Sequence, residues 1–356
     1  MKQKDTPSDP IFHLKNPWEK HSHNVWLATG LTVSRNLQKF KFPHKLDKTR
    51  EIQVLSLVNE SLLKCPQLDK PEMFRSEDLG PLEKEFLLEH FLLAESFHQA
   101  HAGEGFVIDG TGEFLGVLNV SDHVQLNMID TQQEIEKSWN KLAKIEGHLS
   151  KTLDFAFHPR FGFLSSNPRL AGTALTISLY LHIPAIIHTG ELAELLEKEK
   201  EEEVEAVGLQ GKTSEMIGDI LVARNMCTLG LTEEYILTTM RMWATRAVVA
   251  EISIRKKLME NNNESMKNKV TRALGLLTHS YQLEVIEALN ALSLVKLGIE
   301  VGWIQAPPGL NMNDALFNSR RAHLINQLET KVDIPELPRK RAAYLHHIAS
   351  QLTLAI

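Results

Sequence analysis

The stretch "ENNNES", Glu260 to Ser265, separates two kinds of sequence pattern. Three consecutive asparagines read as a loop. Beyond it the apolar residues recur at helical spacing almost to the last residue. "QLEVIEALNALSLVKLGIEVG" places Leu283, Ile286, Leu289, Ala291 and Leu294 on one broad face, and "NDALFNSRRAHLINQLE" offers Asn311, Asn313 and Asp314 as caps before an apolar stripe. "PELPRKRAAYLHHIASQLTLA" reads as a further amphipathic helix that ends the chain. Before the asparagines, short strand patterns mix with amphipathic helices. "FVIDG" and "EFLGVLNV" flank a glycine turn as a hairpin would. "PLEKEFLLEHFLLAES" is helical through Phe86, Leu87, Phe91 and Leu92, and "TQQEIEKSWNKLAKIEGHLS" through Ile135, Trp139, Leu142 and Ile145. The predicted fold is α+β: a mixed domain over 18–259, then an all-α domain over 260–356, with residues 1–17 as a loosely held polar arm.

The 356 residues suffice for two such domains. The net charge of −6 argues against a general nucleic-acid surface. No apolar run has the length of a membrane span, and the polar start "MKQKDTPSDP" has no signal-peptide core. Two cysteines far apart, Cys65 and Cys227, read as buried thiols of a reducing compartment, so the expected location is cytoplasmic. The acidic run "ELAELLEKEKEEEVEAV" reads as a solvated helix face or helix end.

Taken one by one, the chemical motifs are weak. "GLQGKTSE" suggests a phosphate loop, but Ala206 occupies the position where that motif needs its first glycine. His98 and His101 share a helical spacing with Glu95, yet no third histidine or cysteine accompanies them, and His346 and His347 point to different faces. No metal site is expected. Asp122 and His123 are adjacent near a predicted strand, where neighbours face opposite ways, so a structural role is favoured over a catalytic one. "GFLSSNPRLAGTALTIS", Gly162 to Ser178, has the form of a loop that brings backbone close to a ligand, yet its only ionisable side chain is Arg169.

Considered as an ordered set, these segments resemble the ATP:guanido phosphotransferase family, closest to its bacterial protein-arginine kinases. "NVWLATGLTVSRNLQKFKFP" is similar to an opening that reads V-L-S-S-R-I-R-L-A-R-N and then F-P. "LNVSDHVQL" is similar to I-N-E-E-D-H-I-R, and "GFLSSNPRLAGTALTISLYLHIPAI" to G-Y-L-T-S-C-P-x-N-x-G-T-x-L-R-A-S-V-x-x-H-L-P-A. "GKTSEMIGDILVARNMCTLG" is similar to G-E-G-S-E-x-x-G-x-x-x-x-x-x-N-x-x-T-L-G. The resemblance runs from about Trp18 to Leu352. It implies a phosphagen-kinase type of catalytic domain, an antiparallel sheet flanked by helices, followed by a helical domain. It also implies transfer of the γ-phosphoryl of Mg-ATP to an arginine guanidinium, a reaction that depends on positioning and charge neutralisation.

At the positions that would carry this chemistry, the chain departs from the pattern. Arginines expected on the ATP phosphates fall at Gly30, Thr32, Gln125, Thr176 and Val207, while Arg35 keeps the third arginine of the opening motif. Among the expected catalytic positions, the glutamates fall at Val120 and Ser121, the cysteine at Asn167, and the glutamate of the glycine loop at Lys212. The asparagine after that cysteine is Leu170. Asp122, His123, Gly162, Pro168, Gly172, Thr173, Ser214, Glu215, Gly218 and Asn225 keep the frame. An Arg-Asp pair expected near the chain end, for phosphoarginine, falls at Leu337 and Pro338. The expectation is a regulatory homologue without phosphoryl transfer. The partners that the resemblance implies are a zinc-binding kinase activator, Clp-type protease machinery, a protein client and a second copy in a homodimer. The alternative is an active protein-arginine kinase whose rebuilt site uses Arg169, Gly211, Lys212 and Thr213, with Arg160 and Lys41 as further phosphate ligands.

Overall fold

A computed structural model describes residues 10–18, 23–93, 103–201, 203–212, 215–261, 263–328 and 334–356. In chain order the first elements are β1 (Trp26–Arg35), α1 (Lys48–Leu63), β2 (Glu72–Arg75), α2 (Pro81–His90), β3 (Gly105–Ile108), β4 (Phe114–Leu118) and β5 (Val124–Asp130). Next come α3 (Ile135–Leu149), β6 (Phe157–His158), β7 (Gly162–Phe163), β8 (Leu175–His182), α4 (Pro184–Thr189), α5 (Leu192–Lys198), β9 (Val204–Gly208) and β10 (Ile220–Asn225). The rest is α6 (Glu233–Glu260), α7 (Glu264–His279), α8 (Val285–Glu300), β11 (Ile304–Gln305), α9 (Met312–Asn318), α10 (Arg321–Gln327), α11 (Leu337–Ala349) and β12 (Thr353–Leu354). Eight of the strands form an antiparallel sheet with flanking helices, and the C-terminal part is helical, which is the architecture the sequence predicts.

Two compact units divide the chain: Met1–Pro17 with Thr29–Ile177 and Asn225–Leu237, and Trp18–Ala28 with Ser178–Arg224 and Thr238–Ile356. In the first unit the strand order is β2-β3-β4-β5-β1. The expected hairpin is present, with Val107 opposite Gly116 and Ile108 opposite Leu115. Helix α3 packs on β5 and against α1. It buries Ile135, Leu142, Ile145 and Leu149, one stripe at steps of seven, three and four, while Trp139 is only half-buried. Each such leucine or isoleucine contributes roughly 1.5–3 kcal/mol on burial. The described end of the N-terminal segment packs as well: Ile11 is buried, and the Phe12 ring meets Phe86 edge-on at 5.4 Å.

In the second unit the strand order is β8-β10-β9, with Val222 opposite Tyr180. Its helices gather round α8, which is buried on nearly every side through Ala288, Leu289, Ala291, Leu292, Ser293, Val295 and Leu297. The single broad face expected there is therefore corrected. Leu283 lies before the helix and hands its N–H to Pro338 O, and Ile286 is left exposed. Asn311 does cap α9, accepting the Asn313 N–H at 3.0 Å. The last helix stops at Ala349 rather than running to the end, because Thr353 and Leu354 turn back to pair with Gln305 and Ile304.

Because α8 is central, its polar residues are carried inside. Lys296 is buried and reaches Asn24 O, His182 Nδ1 (3.2 Å) and Glu300 Oε1 (3.4 Å). Ser293 donates to Asp219 Oδ2 at 2.5 Å and lies 2.7 Å from His182 Nε2. Arg255 pairs with Glu251 at 2.7 Å and with Glu300. Burial, with Arg255 close by, holds the Lys296 ammonium well below its usual range, and burial pushes the Glu251 carboxyl up. Most partners satisfy the next, as a buried polar network requires, while Glu300 Oε1 has the Lys296 ammonium nearby and no hydrogen bond of its own.

Candidate functional site

The loop from Gly162 to Ser178 is a frame built on two glycines. Phe163 and Gly172 exchange backbone hydrogen bonds at 2.8 and 3.1 Å. Gly162 has φ +70°, and a Cβ there would lie 2.7 Å from Gly172. Gly172 has φ +116°, and its Cβ would meet Thr228 O at 2.4 Å. Glycine is required at both places by backbone geometry. Asn167, at the position of the expected cysteine, accepts the Arg169 N–H at 3.2 Å and so caps the turn Pro168–Leu170. Both Asn167 and Arg169 are exposed.

Beneath this frame is a buried clamp that the sequence reading did not identify. Asp122 Oδ1 accepts Asn36 Nδ2 at 2.6 Å and the Ser166 N–H at 2.7 Å, and its Oδ2 accepts Ser165 Oγ at 3.2 Å. His123 Nδ1 accepts the Leu37 N–H at 2.9 Å, which puts the ring proton on Nε2, facing Lys41 O at 2.8 Å. The two residues lie in a bend before β5 and both serve the 36–41 segment, so the opposite-facing arrangement expected of strand neighbours is corrected. Burial lowers the His123 pKa, and the bond to Lys41 O opposes that shift. The structural role expected of both residues fits this geometry. Val120 and Ser121 are half-buried in the same bend and supply no carboxylate.

Strand β1 separates two kinds of position. Its pairing with β5 sets Thr32 opposite Asn127 and Ser34 opposite Gln125. Alternation therefore puts Gly30, Thr32, Gln125 and Asn127 on one face and Leu31, Val33 and Arg35 on the other. The first face is neutral. Thr32 Oγ1 donates to Asn127 Oδ1 at 2.8 Å, and Asn127 Nδ2 donates to Leu115 O at 3.1 Å. On β8, Thr176 is half-buried between Leu175 and Ile177. Arg35 lies on the interior face and is 2% exposed. It donates to Glu146 Oε1 (3.0 Å), Ser34 O (2.8 Å) and Thr173 O (2.9 Å), and its guanidinium sits 3.6 Å from the centre of the Phe163 ring. Five donors on a planar fork suit it to this enclosed place. The retained arginine of the opening motif thus braces the loop frame from below.

The glycine loop belongs to the second unit. Val207 is buried on β9, where an arginine is expected. Gly208 N–H donates to Lys212 O and Gly211 N–H to Gly208 O, both at 2.8 Å, so these two amides close the turn on itself and are not offered to an anion. Lys212 is exposed and lies 3.4 Å from Glu215. Thr213 and Ser214 lie outside the described residues. So do His98, His101 and Glu95, and among the described residues no group of three or more metal-ligating side chains gathers. Lys41 and Arg160 are exposed in the first unit. Cys65 is buried, as expected, but Cys227 is partly exposed. Leu337 is buried and Pro338 stands in the first turn of α11, so that pair offers neither an arginine nor a carboxylate.

Residues 53–253 match the ATP:guanido phosphotransferase C-terminal catalytic domain, and residues 263–353 match the protein-arginine kinase McsB C-terminal domain. The chain belongs to the ATP:guanido phosphotransferase family. A protein-arginine kinase of Chlamydia pneumoniae is 36% identical over 95% of this chain and 94% of its own. A second, from Halothermothrix orenii, is 29% identical over 90% of this chain and 91% of its own. Among solved structures, the fold is shared with a lombricine kinase (TM-score 0.57, 14% identity, 69% of this chain and 71% of that one). It is shared too with the duplicated taurocyamine kinase of Schistosoma mansoni (TM-score 0.58, 22% identity, 70% of this chain and 37% of that one). This is a family of ATP-dependent kinases, so the cofactor it implies is ATP with a metal ion. The side chains found here at the five expected phosphate positions do not fit it: glycine, threonine, glutamine, threonine and valine bring no cation to a triphosphate. No helix among the described residues is long and apolar enough to cross a membrane.

Proposed function

We propose that this protein-arginine-kinase homologue has lost phosphoryl transfer and acts as a cytoplasmic regulatory adaptor, a pseudokinase that works by binding proteins. The observation that carries the reading is the split on β1. Arg35, turned inward to Glu146 and Thr173 O, is kept, whereas Gly30 and Thr32 on the opposite face are neutral and Thr32 is bonded to Asn127. Removing one preorganised donor costs about 2.7–4 kcal/mol of transition-state stabilisation. Several such losses are not additive, yet together they leave little rate. Val120 and Ser121 also supply no base for a guanidinium proton. The partners that suit this role are those of a protein-arginine kinase system: a zinc-binding activator, Clp-type protease machinery and its client proteins.

The test is a kinase assay. The purified chain is incubated with Mg-ATP and an arginine-rich protein, and acid-labile phosphoarginine is sought by mass spectrometry. The expected result is none. Robust phosphorylation that disappears in Lys212→Ala would sink the proposal in favour of an active kinase with a rebuilt site. Absence of an ATP-dependent thermal shift would place the protein among adaptors that do not sense nucleotide.

A further inference from the structure

Strands β6 and β7 form a small hairpin in the first unit, with Phe157 opposite Phe163 and His158 opposite Gly162. Its turn closes where the Phe161 N–H donates to His158 O at 3.0 Å, and Pro159 fixes the second residue of that turn. Phe157 is 53% exposed and Phe161 43%. His158, Pro159 and Arg160 between them are exposed too, so five consecutive residues face solvent. The rings are nonetheless held in place. His158 stacks on Phe161 at 4.9 Å, and the Arg160 guanidinium lies 5.6 Å from the centre of the Phe161 ring. Phe157 stands edge-on to Phe163 at 5.4 Å, and its N–H donates to Gln38 Oε1 at 3.2 Å. Phe163 in turn rests on the Arg35 guanidinium. Aromatic rings that are fixed yet uncovered suit an interface, because they offer large apolar area and lose little freedom on binding.

The ridge is also basic. Residues 36–50 run beside β6 through the Leu37–Phe155 bridge. Together with residues 151–163 they hold seven lysines and arginines against two acids, Asp47 and Asp154. Both acids are already engaged: Asp154 lies 3.2 Å from Lys39, and Asp47 caps α1 on the Arg50 N–H. Lys41 and Arg160 are exposed and pair with no carboxylate among the described residues. In a chain of net charge −6, this local excess of cations selects an anionic partner. Pro159 and Arg160 crown the turn and the rings lie to its sides, so a bilayer would meet the cation first and leave the rings beside it. A nucleic acid would be repelled by the rest of the chain. An extended acidic protein segment suits both features, with carboxylates on the free cations and an apolar side chain on the rings.

We propose that the β6–β7 hairpin is a docking ridge for an acidic protein segment, which sets an apolar side chain on Phe157 and Phe161 and carboxylates on Lys41 and Arg160. The inference goes beyond the functional reading above and stands whether or not the chain transfers phosphate.

Fluorescence anisotropy of the full chain with the labelled peptide EDEFEDLED tests it. A dissociation constant of roughly 100 µM or tighter is expected at low salt, weakening as salt is added, with no binding of the matched peptide KRKFKRLKR. Phe157→Ser with Phe161→Ser should raise the constant at least roughly tenfold, as should Lys41→Glu with Arg160→Glu. The charge pair should also remove the salt dependence, whereas the aromatic pair should keep it. All four positions are exposed, and circular dichroism and melting like those of the wild type verify that the variants fold. Failure of the wild type to bind EDEFEDLED overturns the inference, and so does binding indifferent to either pair of substitutions. Phosphatidylglycerol vesicles or oligothymidine bound through these four residues in place of the peptide would overturn it too, and would assign the ridge to a membrane or to nucleic acid.

Discussion

Arg35 and Thr32 stand three residues apart on one strand and have opposite surroundings. Arg35 is enclosed by groups of the protein itself: Glu146, two carbonyls and the Phe163 ring. Thr32 is half-exposed, and its hydroxyl is bonded to Asn127 across the sheet. The difference separates charges that hold the fold from charges that would serve a ligand. A charge of the first kind cannot be deleted without leaving buried partners unsatisfied. A charge of the second kind can be replaced by a neutral residue at little cost to stability, and only chemistry notices. The clamp under the loop belongs with Arg35, since Asp122 and His123 are buried and bonded on all sides that the structure shows.

The largest effect should come from breaking the clamp. Asp122→Ala strands Asn36 Nδ2, Ser165 Oγ and the Ser166 N–H together, and should cost about 4 kcal/mol in denaturant unfolding. Next is Arg35→Ala, which leaves two buried carbonyls and Glu146 without their donor and should cost about 3 kcal/mol. If either variant melts like the wild type, the interior side of the comparison is wrong and these charges were not kept for the fold.

Asp130 sharpens the comparison, because it is an interior charge that is poorly served. It sits at the end of β5; its Oδ1 accepts the Gln132 N–H at 2.8 Å, and its buried Oδ2 has no hydrogen-bond partner. Burial pushes its pKa up to about 6. A carboxyl raised in the folded state favours folding fully below its unfolded value near 3.9, and this contribution is lost as pH rises through about 6. Asp130→Asn keeps the acceptor for Gln132 and has no proton to lose. It should therefore stabilise the protein above pH 6, by on the order of 2 kcal/mol, and make no difference at pH 4. Melting curves at the two pH values check the sign. His123 acts oppositely: its lowered pKa gives stability that is present above about 6.5 and is lost as pH falls through the folded value. The comparison is therefore made against the wild type at each pH.

Much of this division was legible in the sequence, and the reasons differ by residue. Helix α3 and the β3–β4 hairpin carry strong periodicity and a glycine turn, so local pattern was enough. Helix α2, in contrast, ends at His90, and the expected stripe through Phe91 and Leu92 is corrected, because the chain turns there with Leu92 at φ +52°. The neutral positions Gly30, Thr32, Gln125 and Thr176 were visible because the resemblance supplies an expectation at each. The role of Arg35 was not, since its partner Glu146 lies 111 residues away and pairing at that range leaves no local signal. The clamp was missed for the same reason: Asn36, Asp122 and Ser165 come from three separate segments. The turn back of Thr353 and Leu354 onto Ile304 and Gln305 was hidden by a short apolar tail that looked like more helix.

The smallest stability change is expected where the comparison is most open to attack, on the exposed face itself. Thr32→Arg removes one hydrogen bond to Asn127 and adds a side chain that can leave through the half-exposed side, so it should cost about 1 kcal/mol or less. Paired with Gly30→Arg, it returns two cations to the face from which the resemblance expects them to bind phosphate. If missing charge is what separates this face from a nucleotide site, the double variant should gain a thermal shift with Mg-ATP that the wild type lacks. Ligand held at a hundred times its dissociation constant would add about 2.7 kcal/mol to unfolding, which is a readable shift. If the wild type already shows a shift of that size, nucleotide is being held by cations elsewhere, such as Arg169 or Lys212, and the neutral face is not evidence of a lost function. If neither protein shifts, the frame differs from a nucleotide site in more than charge. The backbone amides of Gly208 and Gly211, which are turned onto their own loop, are then the next groups to change.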